Sequence, residues 1–267
     1  MKIMRYRDPS SEIHFAAEQT DGSHRKIRGD IFGAYEVTNE SAHVTKLLAP
    51  IVPPMIWCIG LNYRQHTTEV QMKLPDYPVV FAKGPNCLAG PGDPILIPTN
   101  ARGVEIDYEG ELVIVIGKFC RNVMRQDALS YVAGYICGND VGARDWQLKL
   151  GGGQWCRGKS FDTFAPLGPC LVTPDSLPNP GALRIQTVLN GRTMQDGNTR
   201  DMIFDVPALV AFLSESTTLV PGTVIMTGTP AGVGMGRTPP VWMKAGDEVS
   251  VIVEGIGTLT NPVRAEA

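Results

Sequence analysis

Residues 105–117 read Glu-Ile-Asp-Tyr-Glu-Gly-Glu-Leu-Val-Ile-Val-Ile-Gly, a run of acidic residues that leads into an apolar strand. A β-strand turns successive side chains to opposite faces, so Glu105, Asp107, Glu109 and Glu111 are predicted to share one face. The five apolar residues that follow are typical of a strand buried on both faces. Carboxylates aligned at its start repel one another unless a positive charge lies between them. A divalent cation at Glu109 and Glu111 meets this need; the alternative is an acidic, solvent-facing edge.

The available donor atoms restrict the metal. The cysteines and histidines show no zinc-binding spacing, and an all-oxygen site suits Mg²⁺, Mn²⁺ or Ca²⁺. Because no calcium-loop motif is present, Mg²⁺ or Mn²⁺ is preferred. A third acidic ligand is expected where another buried strand ends, and Asp140 in the stretch 133–142 fits. Asp145 is the competing candidate; its structural alternatives are a charge at a helix N-terminus and an ion pair with Arg144.

A second polar group follows the strand predicted at residues 56–59. His66 and Glu69 are three positions apart, so on a helical turn their side chains are neighbours. A carboxylate beside an imidazole fixes the ring, as a general base requires, and loops after strands often carry catalytic residues. A surface ion pair is the alternative. The polar, proline-containing segment 70–77 that follows is a candidate lid.

Two glycine-rich stretches could bind an anion. Residues 151–163 (GGGQWCRGKSFDT) offer backbone amides and Lys159, and residues 227–234 (TGTPAGVG) offer hydroxyls and amides suited to a carboxylate. Neither stretch matches a P-loop or the G-x-G-x-x-G pattern of dinucleotide sites. The alternative for the first stretch is a flexible surface loop.

Composition predicts a turn-rich, mainly β protein with a few short helices. The chain has 267 residues, of which 29 are Gly and 21 are Pro, and its apolar residues occur in short β-rich runs. The dipeptide Asn190-Gly191 predicts a hairpin. One helix is predicted to begin at residue 128 and another to cover residues 207–215. Predicted strands cover residues 56–59, 79–82, 95–97, 108–116, 168–172, 185–189, 224–227 and 249–253.

Residues 1–53 differ from the rest and are predicted to form a small N-terminal α/β module. Its predicted elements are a hairpin of residues 1–7 and 12–17 and a helix over residues 38–48. The prolines of residues 50–54 form the joint. Residues 54–267 are predicted to form the catalytic domain.

Charge and hydropathy exclude several classes of protein. With 24 Lys and Arg against 27 Asp and Glu, a basic nucleic-acid-binding face is not expected. No run approaches a membrane span, and the first residues lack the apolar core of a signal peptide. The six cysteines form no C-x-x-C pair and are expected to be reduced. A cytoplasmic protein is predicted, or a mitochondrial one if a transit peptide precedes this sequence.

Several motifs occur together and in order between residues 56 and 262. They are Asn62-Tyr63…His66…Glu69, Tyr108-Glu109-Gly-Glu111-Leu, Gly138-Asn-Asp140-Val, Ala143-Arg-Asp-Trp-Gln147, Gly158-Lys159-Ser-Phe-Asp-Thr163 and Thr227-Gly-Thr229-Pro-Ala-Gly-Val-Gly. In these motifs the chain resembles the fumarylacetoacetate hydrolase superfamily. Within it, the chain is most similar to the fumarylacetoacetate hydrolase domain-containing proteins that are oxaloacetate tautomerases. Acylpyruvate hydrolases and oxaloacetate decarboxylases are close relatives of that subgroup.

The resemblance implies a mixed β-sandwich roll of the fumarylacetoacetate hydrolase C-terminal type, and a homodimer. It implies Mg²⁺ or Mn²⁺ held by Glu109, Glu111 and Asp140. The predicted catalytic residues are His66, Glu69 and Lys159. The predicted substrate contacts are Tyr63, Gln147, Arg157 and Thr229. The expected partner is a small 2-oxo acid or 1,3-dicarbonyl compound, without nucleic acid or membrane.

The predicted activity is oxaloacetate enol–keto tautomerisation through a metal-stabilised enolate. One alternative is C–C hydrolysis or decarboxylation of acylpyruvate-like or oxaloacetate-like substrates. Another alternative is an enzyme of specialised metabolism that acts on a larger dicarbonyl. A further one is a protein that binds a metal or metabolite without catalysis. The family's usual run Ser-x-Asn-Thr-Ser-Asp-Met-Ile-Phe corresponds to residues 196–204 here, and Arg200 stands in place of its second small residue, a serine. The segment between Glu69 and residue 78 also departs from the family's pattern. We expect substrate specificity to lie in that segment.

Overall fold

The structure is a computed structural model and describes residues 1–103 and 105–267. β-strands dominate it and form a large sheet, a five-stranded sheet and a two-stranded ladder. The helices are short and lie between the strands. The prediction of a mainly β, sandwich-like roll is confirmed.

The N-terminal strands form one edge of the large sheet. Strands β1 to β4 make an antiparallel meander, and β1 also pairs with β5 and with the later strand β14 (Ala165–Val172). The hairpin predicted at the N-terminus is confirmed by the pairing of β1 with β2. The bounds are β1 (Lys2–Arg7), β2 (Ile13–Glu18), β3 (His24–Gly29), β4 (Tyr35–Ser41) and β5 (Lys46–Leu48).

The helix predicted over residues 38–48 is wrong. Residues 1–53, all of which the structure describes, contain strands and no helix. Val37 lies opposite Ile27, and the Thr38 hydroxyl donates to the Lys26 carbonyl at 3.0 Å. β-Branched residues favour an extended backbone when a neighbouring strand offers partners. The N-terminal module is therefore β in character, and its boundary near residue 54 stays a prediction.

The centre of the large sheet carries the elements that position the site. From β1 the order continues β14, β12, β11, β17, β6 and β7, and β8 pairs with the side of β14. The pairs β17–β6 and β8–β14 are parallel. The other neighbouring strands in this part of the sheet are antiparallel. The bounds are β6 (Ile56–Gly60), β7 (Val79–Lys83), β8 (Leu88–Ala89), β11 (Gly110–Ile116), β12 (Val132–Asn139), β14 (Ala165–Val172) and β17 (Val224–Met226).

The five-stranded sheet packs against β11, β12 and β14 and has the order β16-β15-β18-β19-β9. The predicted Asn190-Gly191 hairpin joins β15 to β16. Strands β10 and β13 form the separate ladder. The bounds are β9 (Ile95–Ile97), β10 (Ile106–Asp107), β13 (Gly142–Ala143), β15 (Arg184–Leu189), β16 (Arg192–Asn198), β18 (Glu248–Val253) and β19 (Gly257–Ala265).

Of the three predicted helices, the two beyond residue 54 are present. The one predicted to begin at residue 128 is a 3₁₀ helix over Arg125–Tyr131, and the one predicted over residues 207–215 is an α-helix. The α-helices are α1 (Arg64–Glu69), α2 (Cys156–Lys159) and α3 (Val206–Ser214). A π-helical turn covers Trp146–Leu150. The remaining 3₁₀ turns are Pro85–Cys87, Pro180–Ala182, Thr199–Asp201 and Gly234–Gly236.

Strand β11 is buried on both faces, as its sequence predicts. Leu112, Ile114 and Ile116 pack in the core between the two large sheets, and Val113 and Val115 in the core on the other side. All five side chains are fully buried. A carboxylate at the start of this strand therefore lies in the interior of the protein.

The six cysteines are free thiols, as expected.

Asp205 caps helix α3, because its side chain accepts a hydrogen bond from the Ala208 backbone N–H at 3.0 Å. We predict that Asp205→Ala lowers the free energy of unfolding by about 1 kcal/mol, because that N–H loses its partner. Asp205→Asn is the control: it retains a capping side chain and removes only the exposed ion pair with Arg125. Urea denaturation followed by circular dichroism measures both. Equal losses in the two variants would contradict the capping role.

Candidate active site

Three buried carboxylates meet where β11 begins and β12 ends. Glu109 precedes β11, Glu111 is its second residue, and Asp140 directly follows β12. One carboxylate oxygen of each lies within 4.8 Å of the others. The antiparallel pairing of Gly110 with Asn139 places these chain segments side by side. The structure thus brings together the three predicted metal ligands.

The acidic run does not form one continuous strand. β10 ends at Asp107 and β11 begins at Gly110. Glu105 pairs with Lys149 at 2.8 Å, and Asp107 accepts a hydrogen bond from Arg144. The prediction that four carboxylates share one face is wrong, because the strand is interrupted and the first two carboxylates have other partners.

Two buried lysines compensate the charge of the cluster. Lys159 Nζ lies 2.6 Å from Glu109 Oε2 and 3.1 Å from Asp140 Oδ2. Lys83 Nζ lies 2.7 Å from the other oxygen of Asp140 and donates to three backbone carbonyls, among them that of Lys159. Both ammonium groups are almost entirely removed from solvent. Asp140 is therefore held from two sides by positive charge.

Arg144 supplies a third buried cation. Its Nη2 lies 2.5 Å from Glu109, its Nε donates to Asp107 at 2.9 Å, and its Nη1 donates to Gln147 Oε1 at 2.9 Å. Because Arg144 occupies Oε1, the amide nitrogen is the group that Gln147 can offer to a ligand. Glu109 therefore lies between two cations, Lys159 and Arg144.

These charges shift the pKa values of the two glutamates in opposite directions. Burial raises the pKa of Glu111 well above its usual range, and the nearby Asp140 and Glu109 raise it further. Burial also acts to raise the pKa of Glu109, but Lys159 and Arg144 bring it down to about 2. Burial lowers the pKa of Lys159, while Asp140 and Glu109 more than reverse this. A bound cation would therefore favour the ionised form of Glu111, which burial and its like-charged neighbours disfavour.

The donor set fits a hard divalent cation. The group contains carboxylate oxygens and neither thiolate nor imidazole, which is the chemistry that Mg²⁺ and Mn²⁺ prefer. The Gly228 backbone N–H donates to Glu111 Oε2 at 2.8 Å and fixes that carboxylate. Glu109, Glu111 and Asp140 would hold such an ion.

The predicted catalytic pair lies on helix α1. His66 Nδ1 is 3.1 Å from Glu69 Oε2, and Glu69 Oε1 accepts a hydrogen bond from the Gly232 N–H at 2.9 Å. With Nδ1 donating to the carboxylate, Nε2 of the neutral ring carries no proton. His66 lines the same cavity as Glu109 and Glu111. It can therefore act as a proton acceptor beside the carboxylate cluster.

One cavity of about 250 Å³ contains these groups. Six predicted site residues line it: His66, Glu109, Glu111, Gln147, Lys159 and Thr229. Glu69 and Asp140 are not part of the lining, but Glu69 contacts His66 and Asp140 contacts Lys159. The rest of the lining is mostly apolar: Ile59, Leu61, Val70, Met72, Phe81, Leu148, Trp155 and Met235. The cavity thus has a charged side and an apolar side.

Thr229 lines the cavity, but its hydroxyl is already engaged. Oγ1 donates to the Gly110 carbonyl at 2.9 Å and accepts from Gln195 Nε2 at 2.7 Å. Gln195 Oε1 in turn accepts from the Gly110 N–H at 2.9 Å. A substrate carboxylate at Thr229 would therefore have to displace a protein partner of its hydroxyl or use another donor. The predicted role of Thr229 stays a prediction.

Tyr63 and Arg157, also predicted as substrate contacts, lie outside the cavity lining. Tyr63 is fully buried in the core between the sheets, and Arg157 stacks on Phe161 with 4.3 Å between the guanidinium carbon and the ring centre. Arg200 is exposed and donates to Asn198 in its own turn. Asp145, the competing metal candidate, caps the π-helical turn by accepting from the Trp146 N–H.

Three charged residues of the site were missed by the sequence reasoning: Lys83, Asp107 and Arg144. Lys83 gave a usable signal, since it is the one charged residue in the strand Val79–Lys83. Arg144 was considered only as a partner of Asp145. Asp107 was assigned to the acidic row, because its partners at Gly234 and Met235 are distant in sequence.

Residues 55–264 match the family described as fumarylacetoacetate (FAA) hydrolase C-terminal. The chain belongs to this family. A protein of Dictyostelium discoideum named fumarylacetoacetate hydrolase domain-containing protein 2 homolog is 47% identical over 228 residues, 82% of this chain and 74% of that protein. Oxaloacetate tautomerase fahd2, mitochondrial, of Xenopus laevis is 48% identical over 218 residues, 81% of this chain and 68% of that protein.

A solved structure agrees with this membership. The crystal structure of 2-hydroxyhepta-2,4-diene-1,7-dioate isomerase from Mycobacterium marinum has a TM-score of 0.85 at 39% identity and covers 100% of this chain and 99% of its own. Members of the fumarylacetoacetate hydrolase family are isomerases or hydrolases, and this protein is an enzyme. Enzymes of the family generally depend on a divalent metal, which the carboxylate cluster could hold. In the described part of the chain, no helix combines the length and apolarity needed to cross a membrane.

Glu111→Gln is predicted to affect stability and metal binding in opposite ways. Without metal, the change removes a carboxylate that burial and two like charges disfavour, so the free energy of unfolding at about pH 8 is unchanged or higher. In the metal-free wild type, the pKa of Glu111 is higher in the folded protein than its ordinary value of about 4.5 in the unfolded chain. As the pH rises above that ordinary value, the unfolded chain loses the proton first, so the free energy of unfolding that Glu111 contributes declines. With Mn²⁺, the wild type gains stability and the variant does not.

Urea denaturation in chelator and in Mn²⁺ measures these differences. Glu105→Gln, the same substitution at a carboxylate that pairs with Lys149, is the control and is expected to keep the Mn²⁺-dependent gain. A Glu111→Gln protein that is stabilised by Mn²⁺ as strongly as the wild type would exclude Glu111 as a ligand.

Proposed function

We propose that this enzyme catalyses the enol–keto tautomerisation of oxaloacetate with a Mg²⁺ or Mn²⁺ ion held by Glu109, Glu111 and Asp140. The observation that carries the proposal is one cavity that combines this carboxylate cluster with the proton acceptor His66 and the ammonium of Lys159. The name of the frog relative, an oxaloacetate tautomerase, supports it.

The charge of the site suits an anionic, oxygen-rich substrate. Four buried carboxylates, those of Asp107, Glu109, Glu111 and Asp140, face the three cations Lys83, Arg144 and Lys159. With all groups ionised, a divalent cation changes the sum from one negative to one positive charge. Electrostatic attraction then favours a dicarboxylate over a neutral ligand.

Tautomerisation removes one proton from the enol oxygen and adds one to the carbon at the other end of the enol C=C bond, while the π-bond shifts to C=O, so no σ-bond between heavy atoms breaks. His66 Nε2, with its ring held by Glu69, can accept the enol proton and, once protonated, give a proton to that carbon. Lys159 and Arg144 place positive charge beside the developing enolate. A bound divalent cation would supply Lewis-acid stabilisation of that enolate.

Residues of the predicted lid contribute to the apolar side of the cavity. Val70 and Met72 belong to the segment 70–77 and line the cavity with Leu148 and Trp155. Apolar walls exclude water, and without a water nucleophile to attack a carbonyl carbon the C–C bond of a dicarbonyl is not hydrolysed, whereas an enolate can still be protonated to the keto form. This arrangement favours tautomerisation over hydrolysis.

The remaining assignments follow the family resemblance. A homodimer is proposed on that basis. For the compartment, the cytoplasm was predicted, with the mitochondrion as the alternative, and the frog relative's name supports the mitochondrion.

The first experiment is time-resolved NMR of enol-oxaloacetate with purified enzyme and Mn²⁺, with and without EDTA. We expect EDTA-sensitive formation of the keto form without cleavage. His66→Gln is expected to lower kcat by about 100-fold or more, because the proton acceptor is lost, while the Mn²⁺ affinity stays within about threefold. His43→Gln, at an exposed histidine that does not line the cavity, is the control. Full activity of His66→Gln would contradict the assignment.

A second candidate is turnover of a larger acylpyruvate-like dicarbonyl, because the apolar side of the cavity suits the binding of an acyl chain. Oxaloacetate has a single methylene group between polar groups and no apolar chain to contact Phe81, Trp155 or Met235, whereas an acylpyruvate has one. The solved relative from Mycobacterium marinum is named for a longer dicarboxylate than oxaloacetate.

Trp155→Ala separates the two candidates. If the physiological substrate carries an apolar chain, kcat/KM for an acylpyruvate falls at least about tenfold, because the side chain that packs on it is gone. Oxaloacetate turnover should change much less. An equal effect on both substrates would show that the apolar wall does not recognise an acyl chain.

A further inference from the structure

Asp107 is a fully buried carboxylate outside the cavity lining and outside the metal-ligand group. Oδ1 accepts hydrogen bonds from the backbone N–H groups of Gly234 at 2.7 Å and Tyr108 at 2.9 Å. Oδ2 accepts from the Met235 N–H at 3.0 Å and from Arg144 Nε at 2.9 Å. Both oxygens are thus used, on partners from three separate parts of the chain.

One of these partners leads to the metal side of the site. Arg144, held at Nε by Asp107, uses its two terminal nitrogens on Glu109 and Gln147. A guanidinium is planar and rigid, so fixing Nε fixes the direction of both terminal nitrogens. The position of a predicted metal ligand and of a cavity amide therefore depends on the Asp107–Arg144 contact.

The other partners lead to the catalytic pair. The turn Gly234–Gly236 is held by Asp107, and Met235 lines the cavity. Glu69 rests on this part of the chain: its Oε1 accepts the Gly232 N–H, and a Cβ at Gly236 would lie 2.5 Å from its carboxyl carbon. Glu69 then holds His66. The surface that supports the catalytic pair is therefore fixed by Asp107.

We propose that Asp107 is a positioning residue that couples the His66–Glu69 pair to the Arg144–Glu109 side of the cavity. A carboxylate suits this task because it has two acceptor oxygens and a negative charge for the guanidinium. Asparagine keeps the shape but turns one acceptor into a donor, which faces N–H groups that also donate. The kinetic part of the test below rests on the proposed function; the exchange part does not.

Hydrogen–deuterium exchange of metal-free protein tests the coupling without activity. In Asp107→Asn we expect at least about fivefold faster exchange both in residues 232–236 and in helix α1, to which none of the four hydrogen bonds described for Asp107 runs. Asp93→Asn is the matched control, since Asp93 also accepts a backbone N–H, from Gly90, and pairs with a cation, Lys46. It should change neither segment. Faster exchange in 232–236 alone, or no change, would overturn the proposal.

Arg144→Lys tests the same link from the opposite end if Asp107→Asn does not fold. Lysine keeps the charge but cannot bind Asp107, Glu109 and Gln147 at once. Because Arg144 connects to the turn through Asp107, we expect faster exchange in 232–236 and in α1. Unchanged exchange in both segments would show that the two sides of the cavity are independent.

A double-mutant cycle supplies the kinetic test. Glu69→Gln and Asp107→Asn are each expected to lower kcat/KM, and their combined effect should fall short of the product by at least about fivefold. Glu69→Gln combined with Asp93→Asn should be multiplicative. Multiplicative behaviour in the first pair would assign Asp107 a general structural role. If the wild type does not tautomerise oxaloacetate, the proposed function fails and the exchange experiment alone decides on Asp107.

Discussion

The confinement of like charges in the interior is the constraint on which this structure depends. Glu109, Glu111 and Asp140 place carboxylate oxygens within 4.8 Å of one another where water is largely excluded. Such an arrangement costs several kcal/mol unless each charge has a partner. Lys83, Lys159 and Arg144 provide three partners, all on Glu109 or Asp140. Glu111 is left with a backbone N–H, and it is the group that most needs a further cation.

The two-sheet architecture makes this confinement possible. β11 runs through the middle of the large sheet with a core on each face, and its first residues carry the cluster into the interior. The flanking strand β12 ends at Asn139, so Asp140 is delivered to the same place. Lys83, the last residue of β7, reaches Asp140 from the far edge of the sheet. Strand ends, rather than loops, therefore set most of the charged geometry.

Sequence reasoning succeeded where the signal is local. The alternation around Glu109 and Glu111, the spacing of His66 and Glu69, and the Asn190-Gly191 turn each predict a feature that neighbouring residues determine. It failed where distant partners decide. Residues 38–41 are in a strand because β3 lies beside them, and residues 46–48 because β1 does, while Asp107 is occupied by the turn at Gly234 and Met235. No pattern within a short window contains that information.

Tyr63 illustrates a different limit. A motif that contains a residue does not say whether its side chain contacts ligand or core, and Tyr63 packs in the core while His66, three positions later, lines the cavity. The distinction depends on the direction of entry into helix α1. That direction is fixed by Asn62, whose side chain binds the backbone of Phe204 and Thr227.

The distribution of the site along the chain has a consequence for how the protein acquires its activity. The cavity is lined by residues from Ile59 to Met235, and the parallel ladder of β6 with β17 joins residues 56–58 to 224–226. Closing such a long loop reduces the conformational entropy of the chain before the contacts within it can stabilise the fold. The topology is therefore typical of slowly folding proteins. Partly folded chains would lack the site entirely. Recovery of catalysis during refolding therefore reports that the two ends of this loop have come together.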